Sequence, residues 1–119
     1  MEKLNATISE LGNEWEMMKS ENMVILFNED SPQELRDISV VHDGAATEMV
    51  EAGDVMELGD ESYDILFVGG KANETLCELG HATFQFNGQS DSDLPGTICL
   101  EEKEIPSLEV GQKVIIKSN

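Results

Sequence analysis

Apolar and polar positions alternate over short segments of this chain, and glycine, proline and acidic residues separate the segments. In "KLNATISEL", Leu4, Ala6 and Ile8 fall on one side of an extended chain, and the run stops at Gly12. A period of two residues marks a half-buried strand. "NMVILFN" is continuously apolar, as in a strand covered on both faces. "SPQEL" carries helix-start chemistry, with Ser31 to cap, Pro32 for the first helical position and Glu34 to close a capping box. Too few periodic apolar residues follow for more than one or two turns. "DISVVH" returns to strand.

The second half repeats the pattern. Gly53-Asp54 and Gly59-Asp60 mark tight turns between β segments, and "YDILFVGG" sets Tyr63, Ile65 and Phe67 on one face. "KANETLCELG" is the second predicted helix, with a narrow stripe of Ala72, Leu76 and Leu79 and with Gly80 as its terminating residue. In "HATFQFNG", Ala82, Phe84 and Phe86 point alike. "DSDLPGT" reads as a loop, and "TICLEE" and "GQKVIIK" as the last two strands. Seven or eight short strands with at most two short helices predict an all-β barrel or sandwich. Closure would remove exposed strand edges.

Composition narrows the function classes. The 119 residues are one domain's worth of material, read as a single domain over 1–119, and 39% hydrophobic content is ordinary for a globular chain. Acidic residues number 25 against 7 basic ones, a formal charge of −18. That balance argues against nucleic acid and anionic membrane as partners and favours a basic partner approached electrostatically. The bland reading is that the charge provides only solubility. Cys77 and Cys99 stand alone, without the spacing of a zinc site, and as free thiols they fit a reducing compartment. No signal-peptide pattern opens the chain and no apolar run approaches bilayer-spanning length, so the expected location is cytoplasmic, without membrane insertion.

The distinctive side chains are His42, ending an apolar run before Gly44, and His81, heading "HATFQFNG". A histidine beside an apolar strand is more often a satisfied structural residue. Three chemical readings compete with that one. Metal binding lacks any HxH or HxxxH spacing, so no metal site is expected. Acid–base work by His42 with Asp43 is undercut because adjacent strand residues point to opposite faces. A nucleophilic histidine needs an exposed ring, a partner for its second nitrogen and donors for phosphoryl oxygens. A strand end running into a glycine turn permits this, with backbone N–H groups near Gly44 as donors. "FVGGKANETL" is not a phosphate-binding P-loop, and Gly69 and Gly70 read as turn residues.

"LCELGHATFQFNG", "DLPGTICL" and "VGQKVIIK" together resemble the glucitol/sorbitol-specific enzyme IIA component of the bacterial sugar phosphotransferase system. The resemblance rests on Leu76, Glu78, Leu79, Gly80, His81, Thr83, Phe86, Gly88, Pro95, Gly96 and Thr97, and it extends collinearly through "ATISELG", "MVILFNEDSP" and "VVH". It implies a small closed β-barrel of about seven short strands with one or two short helices. It implies a cytoplasmic phosphohistidine carrier without cofactor, which takes phosphoryl from the phosphocarrier protein HPr and passes it to the IIB domain of a sugar permease. It maps the phosphoryl acceptor onto His42 and gives His81 an orienting or phosphoryl-contacting part. The expected supporting donors are Gly44 and the hydroxyl of Thr83. The chain departs from the family pattern at Asp43-Gly44-Ala45, where some members carry further histidines. The alternative is a non-catalytic β-barrel module that keeps the fold without phosphotransfer. Internal hydrogen bonds on both nitrogens of a buried His42 would favour it.

Overall fold

A computed structural model describes residues 1–119. Its elements, in chain order, are β1 (Glu2–Leu11), α1 (Trp15–Ser20), β2 (Met23–Asn28), α2 (Gln33–Arg36), β3 (Val40–His42), β4 (Val55–Leu58), β5 (Glu61–Val68), α3 (Ala72–Leu79), β6 (Ala82–Gln85), β7 (Thr97–Leu100) and β8 (Lys113–Lys117). The eight strands close into a barrel in the order β1-β3-β2-β6-β7-β5-β4-β8. Two neighbouring pairs, β2 with β3 and β6 with β7, run parallel, and the other pairs run antiparallel. Closure leaves no unpaired edge on these short strands, which is how a chain of this size avoids edge-to-edge association.

The period-two pattern fills the barrel. Leu4, Ala6 and Ile8 of β1 meet Leu26, Val40, Met56, Leu58, Tyr63, Ile65, Phe84, Ile98, Leu100, Val114 and Ile116 in one continuous core. Fully burying an aliphatic or aromatic side chain of this kind contributes about 1.5–3 kcal/mol. Ala82, Phe84 and Phe86 all turn inward as their spacing requires. Gly59 has φ +61° in the turn between β4 and β5, a conformation that glycine adopts without steric cost. No helix is long and apolar enough to cross a membrane.

Four local expectations are corrected. The helix α1 was not foreseen, because only Trp15 among its residues is buried and no apolar stripe announces it. Ser31 does not cap α2; Pro32 occupies that position in an extended conformation, and the Ser31 hydroxyl is buried without a partner. The register of β5 shifts between Ile65 and Phe67, so Phe67 leaves the inward face and lies half-buried. Leu79 is 43% exposed rather than part of the buried stripe of α3, which consists of Ala72 and Leu76.

Candidate functional site

β3 places His42 between β1 and β2, where it pairs with Ile8 and Asn28. Alternation from Val40 puts the ring on the core side, and it is 0% exposed. Both ring nitrogens are engaged. The N–H of Gly44 donates to Nδ1 at 3.1 Å, so Nδ1 carries the lone pair. Nε2 therefore carries the proton, and it donates to the carbonyl of Gly80 at 2.7 Å. Burial pushes the pKa of His42 below its ordinary value, against the opposing effects of the Gly80 hydrogen bond, Asp43 and Glu29. The ring is held neutral.

Gly80 ends α3 with φ +59°, in the left-handed region. A Cβ there would lie 2.7 Å from Cε1 of His42, 2.9 Å from its Nε2 and 2.8 Å from the carbonyl of Gly44. Glycine is thus required twice, by the backbone angle and by the ring that packs on it. Asp43 points away from His42: its carboxylate accepts the N–H of Thr7 at 2.8 Å, and its own N–H donates to the carbonyl of Thr7 at 3.2 Å.

His81 follows Gly80 directly, and its surroundings are of another kind. Thr75 holds its backbone on both sides: the N–H of His81 donates to the Thr75 carbonyl at 3.1 Å, and the Thr75 hydroxyl donates to the His81 carbonyl at 2.7 Å. The ring stacks on Phe27 with centroids 4.0 Å apart and planes inclined by 16°. Nδ1 meets the carbonyl of Leu26 at 3.0 Å, and a carbonyl can only accept, so Nδ1 carries the proton. Nε2 is left with its lone pair and no partner in the protein. The Ser31 hydroxyl is the one buried side-chain polar atom without a partner, so Nε2 of His81 opens to solvent.

Thr83 lies two residues on, half-buried on the outward side of β6. Its N–H donates to the carbonyl of Gly96 at 3.2 Å. Gly44 is not free to act as a phosphoryl donor, because its N–H is committed to His42. The two histidines share no hydrogen bond; Gly80 connects them, bonded to one ring and adjacent in chain to the other.

Beside the His42 turn, Asn28, Glu29, Asp30, Asp43, Gly44 and Ala45 line a cleft of about 310 Å³. Its three carboxylates would repel a dianionic phosphoryl group approaching on that side. No group of three or more histidine, cysteine, aspartate and glutamate side chains converges to hold a metal ion. Cys77 is exposed on α3, and Cys99 is buried on β7. Leu26, Phe27 and Thr75 belong to segments read only as strand and helix, with no role at the site. Their contributions are a main-chain carbonyl, a ring face and a hydroxyl bonded locally, and none of these leaves a residue-type signature.

The family described as "PTS system glucitol/sorbitol-specific IIA component" matches residues 3–115. Two relatives, from Shigella flexneri and Escherichia coli (strain K12), are each called "PTS system glucitol/sorbitol-specific EIIA component". Each is 32% identical to this chain over 93 residues, covering 77% of it and 76% of the relative. A crystal structure of a PTS system IIA component from Enterococcus faecalis V583 superposes with a TM-score of 0.83 at 27% identity. That match covers 97% of this chain and 99% of the other.

Proposed function

The chain belongs to the glucitol/sorbitol-specific IIA family of the phosphotransferase system, and on that premise we propose that it is a phosphohistidine carrier. It takes a phosphoryl group from phospho-HPr and delivers it to the IIB domain of a glucitol/sorbitol permease, which phosphorylates the sugar during uptake. The observation that carries this reading is the pair of oriented imidazoles joined through Gly80. Phosphoryl transfer to nitrogen needs a neutral ring whose second nitrogen is fixed by a partner, and both rings have such a partner.

The family resemblance expects the acceptor at His42. Burial keeps that ring neutral, which nucleophilic work requires. Its attack would also require the ring to leave either the N–H of Gly44 or the carbonyl of Gly80.

The closed state of His42 also favours a second reading, a barrel that keeps the fold as a binding or regulatory module. One experiment separates the two. Incubation with enzyme I, HPr and labelled phosphoenolpyruvate should give acid-labile, alkali-stable label on the carrier. A folded protein that takes no label would establish the regulatory module instead.

A further inference from the structure

The hydrogen bond from His42 to Gly80 is only as firm as the turn that carries the Gly80 carbonyl. Glycine has no Cβ to restrict its backbone, so Gly80 does not hold that carbonyl in one direction by itself. Thr75 fixes the turn from two sides. The N–H of His81 donates to the Thr75 carbonyl at 3.1 Å. A trans peptide is planar, with its N–H and C=O pointing opposite ways. This bond therefore aims the Gly80 carbonyl away from Thr75 and toward Nε2 of His42.

The Thr75 hydroxyl fixes the next peptide. A threonine inside a helix can return its hydroxyl to a carbonyl three or four residues back. Here the carbonyls of Ala72 and Lys71 stand at 3.2 and 3.4 Å, whereas that of His81, six residues ahead, stands at 2.7 Å. The hydroxyl has one proton to give, and His81 is its nearest acceptor. The ring of His81 ties the same turn to β2, through the Leu26 carbonyl at 3.0 Å and the face of Phe27. β2 in turn pairs with β3, where Asn28 lies opposite His42. The turn and the His42 ring thus share one frame.

We propose that Thr75 is a positioning residue for phosphoryl transfer at His42, acting through the Gly80 carbonyl that orients the ring. This role rests on the carrier reading and goes beyond it, since the hydrogen bonds of the His42 ring run to Gly44 and Gly80 and none to Thr75. A turn free to swing would take the acceptor away from Nε2. The ring would then exchange its proton between its two nitrogens and sample other orientations. Fewer molecules would stand ready for the phosphoryl group at any moment, so transfer would slow while the barrel stayed folded.

Thr75→Val removes the hydroxyl and keeps the shape of the side chain, and Thr75→Ser keeps the hydroxyl. Nitrogen NMR of the histidine rings and the rate of label uptake from phospho-HPr are compared with the parent in the full chain. The parent should show His42 protonated on Nε2 alone. In Thr75→Val its ring shifts should move toward the average of the two tautomers, and uptake should slow by roughly fivefold, the effect of losing one ordinary hydrogen bond. Thr75→Ser should restore both. Parental ring shifts, or uptake as fast as the parent's, in a folded Thr75→Val protein overturn the role, even where the unfolding midpoint falls, because the hydroxyl is then structural only. Should Thr75→Val fail to fold, Thr75→Ala adds no bulk and carries the same comparison. A parent that takes no label ends the carrier reading and this role with it, whereas a labelled parent with an unaffected variant ends this role alone.

Discussion

The Nε2 proton of His42 is held by the carbonyl of Gly80 at 2.7 Å, so one histidine is fastened to the residue that precedes the other. The relationship joins a strand end from the first half of the chain to a helix end from the second. It explains why the motif around His81 needs glycine at position 80. The ring of His42 fills the space that a side chain at position 80 would take.

Gly80→Ala should therefore damage both fold and function. The left-handed angle costs a non-glycine residue roughly 1–2 kcal/mol. The clash with the buried His42 ring adds to this, because core overpacking costs about 1–3 kcal/mol more. Urea unfolding should show a lower midpoint with an unchanged slope, and label uptake from phospho-HPr should fall with it. A variant of parental stability would mean that the turn is not clamped.

Stability should fall in mild acid through His42. Burial lowers its folded pKa below the ordinary 6.5, so the unfolded chain binds the proton first as pH drops. The fold is thus unpenalised above about pH 6.5 and loses stability below it, by at most about 1.4 kcal/mol per pH unit. Urea midpoints measured at pH 7.5 and at pH 5.5 should differ more in the parent than in His42→Gln. Equal differences would place the proton elsewhere.

The side chains of Lys3 and Asp54 form a buried ion pair at 2.7 Å, each only 7% exposed. Asp54 also accepts the N–H of Glu51 at 2.8 Å. Asp54→Ala leaves the buried Lys3 ammonium with only the exposed Glu51 carboxylate 4.0 Å away and leaves a backbone donor unpaired, which should cost about 3–5 kcal/mol. Replacing both partners with apolar residues of similar volume should recover much of that loss. Unfolding of the single and double variants would check it, and an additive double variant would show that the pair is not coupled.

Tyr63 is the only tyrosine in the chain, so its ionisation can be followed alone. Its hydroxyl donates to the carbonyl of Glu104 at 2.7 Å, and burial together with nearby Glu61, Glu101 and Glu104 pushes its pKa up to about 12. Phenolate absorbance should stay low well above pH 10 in the folded protein. Since the unfolded tyrosine ionises first, stability should decline as pH rises past about 10. A phenolate titrating near pH 10 in the folded state would contradict the burial of this ring.

The charge of −18 has a kinetic consequence if the donor's docking face is basic. Phosphoryl uptake from phospho-HPr should slow as ionic strength rises from about 0.01 M to about 0.15 M, where the screening length shortens from roughly 30 Å to roughly 8 Å. A rate flat over that range would reduce the charge to solubility.

Most strands were legible because alternation is a local property. Leu4, Ala6 and Ile8, or Ala82, Phe84 and Phe86, announce their common face by spacing alone. Phe67 was misread because a register shift is a property of two strands together. The helix α1 was missed because a six-residue helix with one buried side chain has no periodicity to show.

By itself the sequence determined the succession of short β-strands, the acidic balance, the glycine that ends α3 and the two histidines worth weighing. The tertiary structure alone decided how those histidines differ. Reactivity depends on what each ring nitrogen faces, and here the partners are main-chain groups of Gly44, Gly80 and Leu26 brought in by barrel closure. A carbonyl or an N–H belongs to nearly every residue, so no pattern of side chains foretells which one will meet a ring. Closure buried His42 between two such groups and left Nε2 of His81 open.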